Sequence, residues 1–181
     1  MSTLATHDLD QEIAAVVEIV VKRSVSFMRE ELGTTPTGVR RHGGRPESLQ
    51  LRDVTAIVGV GSRAGLYIAF SYDDSLIRAL MRRYTADLGV APDEEELYIQ
   101  ETASDIVNVI VGNCTAELSK RREPVSLSPP VLMLGARTLS GRPGTTVATL
   151  TLQFQEGLLD LAFVGPKVMF DEHLNFLGGP I

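Results

Sequence analysis

Residues 53–74 read DVTAIVGVGSRAGLYIAFSYDD, and this stretch decides the fold class. Its two runs, residues 53–61 and 66–71, are rich in the β-branched, aromatic and small apolar residues that are common in buried strands. The four residues between them, Ser-Arg-Ala-Gly, suit a tight turn because glycine tolerates the backbone conformations that turns require. The stretch therefore predicts a β-hairpin.

The segments around this hairpin alternate between helical and strand patterns. Asp73 or Asp74 is expected to cap the helix that follows the hairpin, and Gly33 is expected to end an earlier one. The predicted helices cover residues 11–32, 75–84 and about 93–120, and the further predicted strands cover residues 131–134, 145–155 and 158–164. Residues 34–48 are predicted to form an exposed connection. This order predicts an α+β fold in which a largely antiparallel sheet packs against helices, one of them long.

The composition is that of one compact domain. The chain has 181 residues, of which 44% are hydrophobic and 22% charged, so it can build a core without disulfides or a structural metal. We therefore predict a single domain over residues 1–181, with residues 1–10 and 166–181 as peripheral tails. The one cysteine, Cys114, cannot form a disulfide within the chain.

Charge and hydropathy narrow the range of partners. The formal net charge is −6, which argues against a nucleic-acid partner because binding phosphates needs clustered lysine and arginine. The apolar runs are too short to span a bilayer, so no membrane association is predicted. Residues 1–11 do not have the pattern of a secretory signal, and a cytoplasmic location is expected.

The usual catalytic and metal-binding patterns do not occur in the sequence. His7, His42 and His173 are too scattered to form a metal site, so no metal ligands are predicted. Cys114 falls on the apolar face of the long predicted helix, where a packed and inert thiol is expected. The candidate functional residues therefore have to be sought on the polar side of that helix.

The long predicted helix has two distinct faces at about 100° per residue. One face is apolar and carries Ile99, Ala103, Ile106, Val107, Ile110, Cys114 and Leu118. The opposite face is a polar stripe about 80° wide that carries Glu101, Asp105, Asn108, Gly112 and Thr115. A mid-helix glycine costs roughly 1 kcal/mol relative to alanine, but it allows another surface to approach closely. Periodicity alone leaves two interpretations open, a solvated face and a partner-binding face.

The motif DIVNVIVGN, residues 105–113, resembles the signature helix of the CheX/CheC/FliY chemotaxis phosphatases. Members of that family typically have an acid, two further residues and an asparagine, which correspond here to Asp105 and Asn108. CheX proteins also have a nearby Gly-Asn pair, which corresponds to Gly112 and Asn113. The combination is more specific than the acid and asparagine alone.

The resemblance covers residues 49–164, and Pro130 stands where the family has a proline after the motif helix. The single motif helix favours CheX over CheC-type proteins, which often carry two such sites, because residues 11–32 contain no second motif. One departure is clear: the family's acid is normally Glu, and this chain has Asp105.

The resemblance implies a phosphatase that acts on the aspartyl phosphate of a CheY-like receiver domain. Asn108 is expected to align the attacking water and Asp105 to pair with the receiver's active-site lysine, while Glu101, Gly112 and Thr115 contact the partner. The receiver domain is expected to supply Mg²⁺, so no cofactor of the chain's own is predicted, and a homodimer is expected. Two alternatives stay open: a non-catalytic, receiver-binding adaptor, and a structural dimerisation module unrelated to signalling.

Overall fold

The computed structural model of this protein describes residues 3–42, 48–61, 66–119, 126–135, 138–140 and 145–166. These residues form the predicted α+β fold, with three helices against an antiparallel sheet. The helices are α1 (Thr3–Glu30), α2 (Asp74–Tyr84) and α3 (Glu95–Ser119). The strands are β1 (Gly38–His42), β2 (Ser48–Gln50), β3 (Val54–Gly61), β4 (Leu66–Tyr72), β5 (Ser126–Leu127), β6 (Val131–Leu134), β7 (Thr138–Ser140), β8 (Thr145–Gln153) and β9 (Leu158–Pro166).

The main sheet, counted over the described residues, has seven strands. Five follow the order β1-β8-β9-β4-β3, and both β5 and β6 pair with the remaining edge of β3. The predicted hairpin is confirmed as β3 and β4, which pair from Val54 opposite Tyr72 to Val60 opposite Leu66. Its turn, residues 62–65, lies outside the described residues. β2 and β7 form a separate two-stranded ribbon.

Both faces of the main sheet are buried, which explains the almost continuous apolar sequence of its central strands. On one face, side chains such as those of Ile68 and Phe70 join residues of all three helices in the main core. On the other face, Ala69 and Ala162 belong to a smaller cluster with Leu49. The sheet is therefore a central layer between the helices and the chain around β2.

The first helix begins earlier than its sequence pattern predicts. α1 starts at Thr3 rather than at residue 11, so the predicted start of this helix is wrong by eight residues, while the peripheral position of residues 1–10 stays a prediction. No glycine or proline interrupts this stretch, and Asp10 lies within the helix.

The predicted helix stop at Gly33 is confirmed. Gly33 has a φ of 60°, which glycine adopts without steric cost. The amide of Thr34 then donates to the carbonyl oxygen of Met28 at 2.9 Å, as in a glycine-terminated helix. The predicted connection that follows contains β1, which pairs with β8. Of the predicted C-terminal tail, Pro166 ends β9 and residues 167–181 lie outside the described residues.

An ionic network ties together chain segments at one end of the sheet. The Arg52 guanidinium donates from Nε to Asp160 and from Nη1 to Asp73, each at 2.7 Å. Asp160 also accepts a hydrogen bond from the Thr151 hydroxyl at 2.5 Å, and Thr151 is hydrogen-bonded to His42 Nε2 at 2.7 Å. Because Asp160 is 8% exposed, its charge needs these partners. The network joins β1, β8 and β9 to the start of α2.

The start of α2 is capped by a residue other than the two that the sequence suggests. Asp73 occupies the N-cap position but makes no capping hydrogen bond with its side chain. That side chain instead accepts the amide of Leu158 at 2.8 Å and the Arg52 hydrogen bond. Asp53, which precedes β3, accepts the amide of Asp74 at 2.8 Å and so satisfies a free N–H of the first turn.

We predict that Asp53→Ala lowers the free energy of unfolding by about 1 kcal/mol, because loss of a capping oxygen typically has that cost. Urea denaturation followed by circular dichroism measures this change. Asp87→Ala is the matched control, since Asp87 is exposed in the connection between α2 and α3. Equal stability of the two variants would show that the Asp53 contact does not stabilise α2.

Candidate functional site

The position of α3 is set by its apolar face. Over residues 95–116, the part of this helix whose side chains the structure describes, seven apolar side chains are 2% exposed or less, namely Ile99, Ala103, Ile106, Val107, Ile110, Val111 and Cys114. They lie in the main core with residues of α1, α2 and β3. The prediction of a buried Cys114 is confirmed. With this face held in the core, the rotation of α3 about its axis is fixed.

The predicted polar stripe lies on the outer side of α3. Glu101, Asp105 and Asn108 are exposed, while Gly112 and Thr115 are half-buried. Asp105 and Asn108 are three residues apart on the helix, so their side chains project next to each other. The structure thus places the carboxylate and the amide together on a surface that the fold itself does not use.

Gly112 has no packing role that the described residues reveal. A Cβ atom added at this position would meet nothing within 4 Å, so the fold has room for alanine. Glycine nevertheless lowers helix stability by roughly 1 kcal/mol at such a site. Thr115, one turn further on, donates its hydroxyl to the carbonyl oxygen of Gly112 at 2.7 Å. Its hydroxyl is therefore free only to accept a hydrogen bond from a partner.

Tyr84 stands on one flank of the stripe and was not found by sequence reasoning. It is the last residue of α2 and is 40% exposed. The pKa of Tyr84 is raised, first by partial burial and then by the negative charges of Asp105 and Glu31. Tyr84 therefore lies close enough to Asp105 to sense its charge, although 21 positions separate them in the sequence.

A groove on the other flank, between α3 and β6, was also missed. It is a shallow groove with a volume of about 360 Å³ that is mostly open to solvent. Its lining consists of Leu97, Gln100, Glu101, Ser104, Asp105 and Leu132. Glu101 and Asp105 thus belong both to the polar stripe and to this groove. Leu132 comes from β6, and the sequence gives no sign that this strand lies beside α3.

The site offers carboxylates, an amide and hydroxyl groups. Among the residues that the structure describes, no three His, Cys, Asp or Glu side chains are grouped so that they could hold a metal ion. His42 is engaged with Thr151 on β8. The His7 side chain and His173 lie outside what the structure describes.

Comparison with known proteins identifies the family. The sequence model of the family described as "Chemotaxis phosphatase CheX" matches residues 54–153, which is more than half of the chain. This chain belongs to the CheX family. The match runs from β3 to β8 and includes all five residues of the predicted site. A search of curated protein sequences finds no match to this chain.

Solved structures share the fold at low sequence identity. A chemotaxis protein CheX from Desulfovibrio desulfuricans superposes with a TM-score of 0.69 at 16% identity, over 83% of this chain and 98% of that one. CheX in a CheX–CheY–BeF₃–Mg²⁺ complex from Borrelia burgdorferi gives a TM-score of 0.63 at 15% identity, over 82% and 96%. Thermotoga maritima FliY gives 0.56 at 14% identity, over 90% and 91%.

A helix that spans a membrane must be both long and apolar. None of the helices in the described part of the chain combines the length and the hydropathy needed to cross a bilayer. The long helix α3 illustrates why: its outer side carries polar and charged residues, including Glu101, Asp105 and Asn108.

We predict that Asn108→Ala leaves the free energy of unfolding within about 0.5 kcal/mol of wild type, because Asn108 is exposed and exposed substitutions usually have small effects. Urea denaturation is the measurement. Ile106→Ala on the same helix is the control; Ile106 is fully buried, and its truncation should cost about 2–5 kcal/mol. A loss above 1 kcal/mol for Asn108→Ala, on the same scale, would make Asn108 a structural residue.

Proposed function

We propose that this protein is a phosphatase for the aspartyl phosphate of a CheY-like receiver domain, in chemotaxis or related two-component signalling. The observation that carries the proposal is the exposure of Asp105 and Asn108 side by side on a helix whose other face is locked in the core. Membership of the CheX family supports it. The CheX–CheY complex among the structures of the same fold supports a receiver domain as the partner.

Asn108 is assigned the role of aligning the attacking water. Its side-chain amide has both donor and acceptor groups, so it can hold one water in a defined orientation. Hydrolysis of a phosphoryl group depends mainly on positioning and on stabilising negative charge. The receiver domain supplies Mg²⁺, which stabilises the negative charge. This chain therefore aligns the attacking water and needs no metal ligand.

Asp105 is assigned the role of pairing with the active-site lysine of the receiver domain. A carboxylate that meets an ammonium group in a closed interface contributes more than an exposed ion pair. Asp is shorter than the Glu usual in this family by about 1.5 Å. Because a misplacement of about 1 Å can cost about 10²-fold in rate, we expect either a reduced turnover or a docking geometry adjusted to the shorter side chain of Asp105.

The remaining stripe residues are assigned to docking. Glu101 adds negative charge one turn before Asp105, and Gly112 leaves room for the partner's backbone to approach. The Thr115 hydroxyl, which already donates to Gly112, can accept one hydrogen bond from the partner. A homodimer remains part of the proposal, and sedimentation of the purified chain tests it.

A non-catalytic adaptor that binds a receiver domain is the second candidate, and the replacement of Glu by Asp105 favours it. Timed release of phosphate from phosphorylated receiver domains of the same cell separates the two. Accelerated release supports the phosphatase. Binding without acceleration supports the adaptor, and neither binding nor acceleration leaves only a structural dimerisation module.

We predict that Asp105→Ala weakens receiver binding and lowers phosphate release by about 10²-fold, while Asp105→Glu releases phosphate faster than wild type. Steady-state release from one phosphorylated receiver domain measures both variants. Asp105→Asn keeps the size of the side chain and removes its charge. Comparing it with Asp105→Glu therefore separates the effect of side-chain length on phosphate release from the effect of charge. If all three variants behave like wild type, Asp105 takes no part in the reaction.

We predict opposite effects on stability and activity for Gly112→Ala. The added methyl meets nothing within 4 Å in this chain, so the variant should gain up to about 1 kcal/mol of stability. The same methyl projects toward the docked partner and should raise KM for the receiver domain. Thermal unfolding measures the stability of the variant, and phosphate release on the same preparation measures its KM. A stabilised variant with unchanged KM would show that Gly112 lies outside the interface.

A further inference from the structure

The groove between α3 and β6 combines apolar and acidic side chains. Its walls include two apolar side chains, Leu97 and Leu132, and its charged groups are the two carboxylates of Glu101 and Asp105. Leu97 is 54% exposed, so its side chain is accessible to a partner. None of the lining residues carries a positive charge. The groove thus presents apolar contact area beside two carboxylates that form no ion pair with the described residues.

This combination suits the side chain of lysine or arginine. Both have an apolar stem and a charged end, and they bury the stem against apolar surface while the end meets a carboxylate. Leu97 and Leu132 offer the surface for the stem, and Glu101 offers the counter-charge. Gln100 and Ser104 add polar groups that can accept further N–H donors.

We propose that this groove binds a second basic side chain of the receiver domain, separate from the active-site lysine that pairs with Asp105. This inference rests on the proposed function, and it gives Glu101 a specific role. The groove shares Asp105 with the catalytic stripe, so a receiver domain docked on Asn108 also covers the groove. The contact makes Glu101 and Leu97 selectors among receiver domains that differ in surface charge at this point.

The position of the groove favours the receiver domain over a second copy of this chain. The groove shares Asp105 with the stripe on which the receiver domain is proposed to dock, and its two carboxylates attract a basic surface. The contact lies beside the reacting groups rather than on them. It therefore contributes to binding, which affects KM and the dissociation constant, and leaves kcat nearly unchanged.

The test uses two groove variants and two matched controls. Leu97→Ala and Glu101→Gln remove the apolar and the charged part of the site. Leu88→Ala truncates a leucine that is 57% exposed elsewhere, and Glu18→Gln removes an exposed charge from α1. The probe is each receiver domain of the same cell, loaded with beryllofluoride and Mg²⁺, and the measurement is the dissociation constant at low and high salt.

We expect both groove variants to weaken binding by about three- to tenfold at low salt, which corresponds to about 0.7–1.4 kcal/mol. The effect of Glu101→Gln should shrink at high salt, because salt screens an ion pair, and that of Leu97→Ala should persist. Leu88→Ala and Glu18→Gln should bind within twofold of wild type, a difference that converts to about 0.4 kcal/mol. Unchanged binding by both groove variants would overturn the proposal.

A second measurement identifies the basic residue in the partner. Each exposed lysine or arginine around the receiver's phosphorylation site is changed to methionine, and binding is measured with wild type and with Glu101→Gln. At one position, the change to methionine should weaken binding to wild type but not to Glu101→Gln. The change in the receiver domain and Glu101→Gln would then break the same contact. If every position is additive with Glu101→Gln, the groove does not hold a basic side chain.

The outcomes separate this inference from the proposed function. If wild type releases phosphate and both groove variants have the KM of wild type, the groove proposal is wrong and the phosphatase proposal stands. Weaker binding by the groove variants without any phosphate release supports the groove site and favours the adaptor. If wild type neither binds a receiver domain nor releases phosphate, both the groove proposal and the phosphatase proposal are wrong. Groove variants that change only sedimentation show that a second copy occupies the groove, which also overturns the proposal.

Discussion

The burial of one face of α3 is the constraint on which the candidate site depends. Successive residues of a helix are rotated by about 100°, so fixing Ile106 and Ile110 in the core also fixes the direction of Asn108. The two buried isoleucines are fully inaccessible, and a rotation of the helix would bring polar side chains into the core. The burial of this face therefore fixes the side of the helix from which the exposed carboxylate and amide project.

The sheet makes this arrangement rigid because it is buried on both faces. The main core joins it to the helices, and the cluster around Leu49 and Ala162 covers its other side. At one end, Arg52 and Asp160 link segments that are 108 positions apart in the sequence. A partly buried pair of this kind is costly to break, so the strands and the start of α2 hold their relative positions. The site accordingly sits on a preorganised support.

The fold and the stripe could be predicted because both follow from local patterns. The hairpin composition identified β3 and β4, and the period of α3 separated Asn108 from Cys114. The flanks of the site could not be predicted in this way. Tyr84 and Leu132 reach α3 from other elements, and only the packing of those elements brings them near Asp105. The capping role of Asp53 was missed for the same reason, since its partner Asp74 lies across the hairpin.

The central claim is that Asn108 performs catalysis and does not merely bind the partner. The most direct measurement is the loss of phosphate from one phosphorylated receiver domain in a single turnover, with wild type or Asn108→Ala at concentrations that saturate binding. The account predicts that wild type accelerates the loss, whereas the receiver bound to Asn108→Ala loses phosphate at its own intrinsic rate. Equal acceleration by the two proteins would contradict the account.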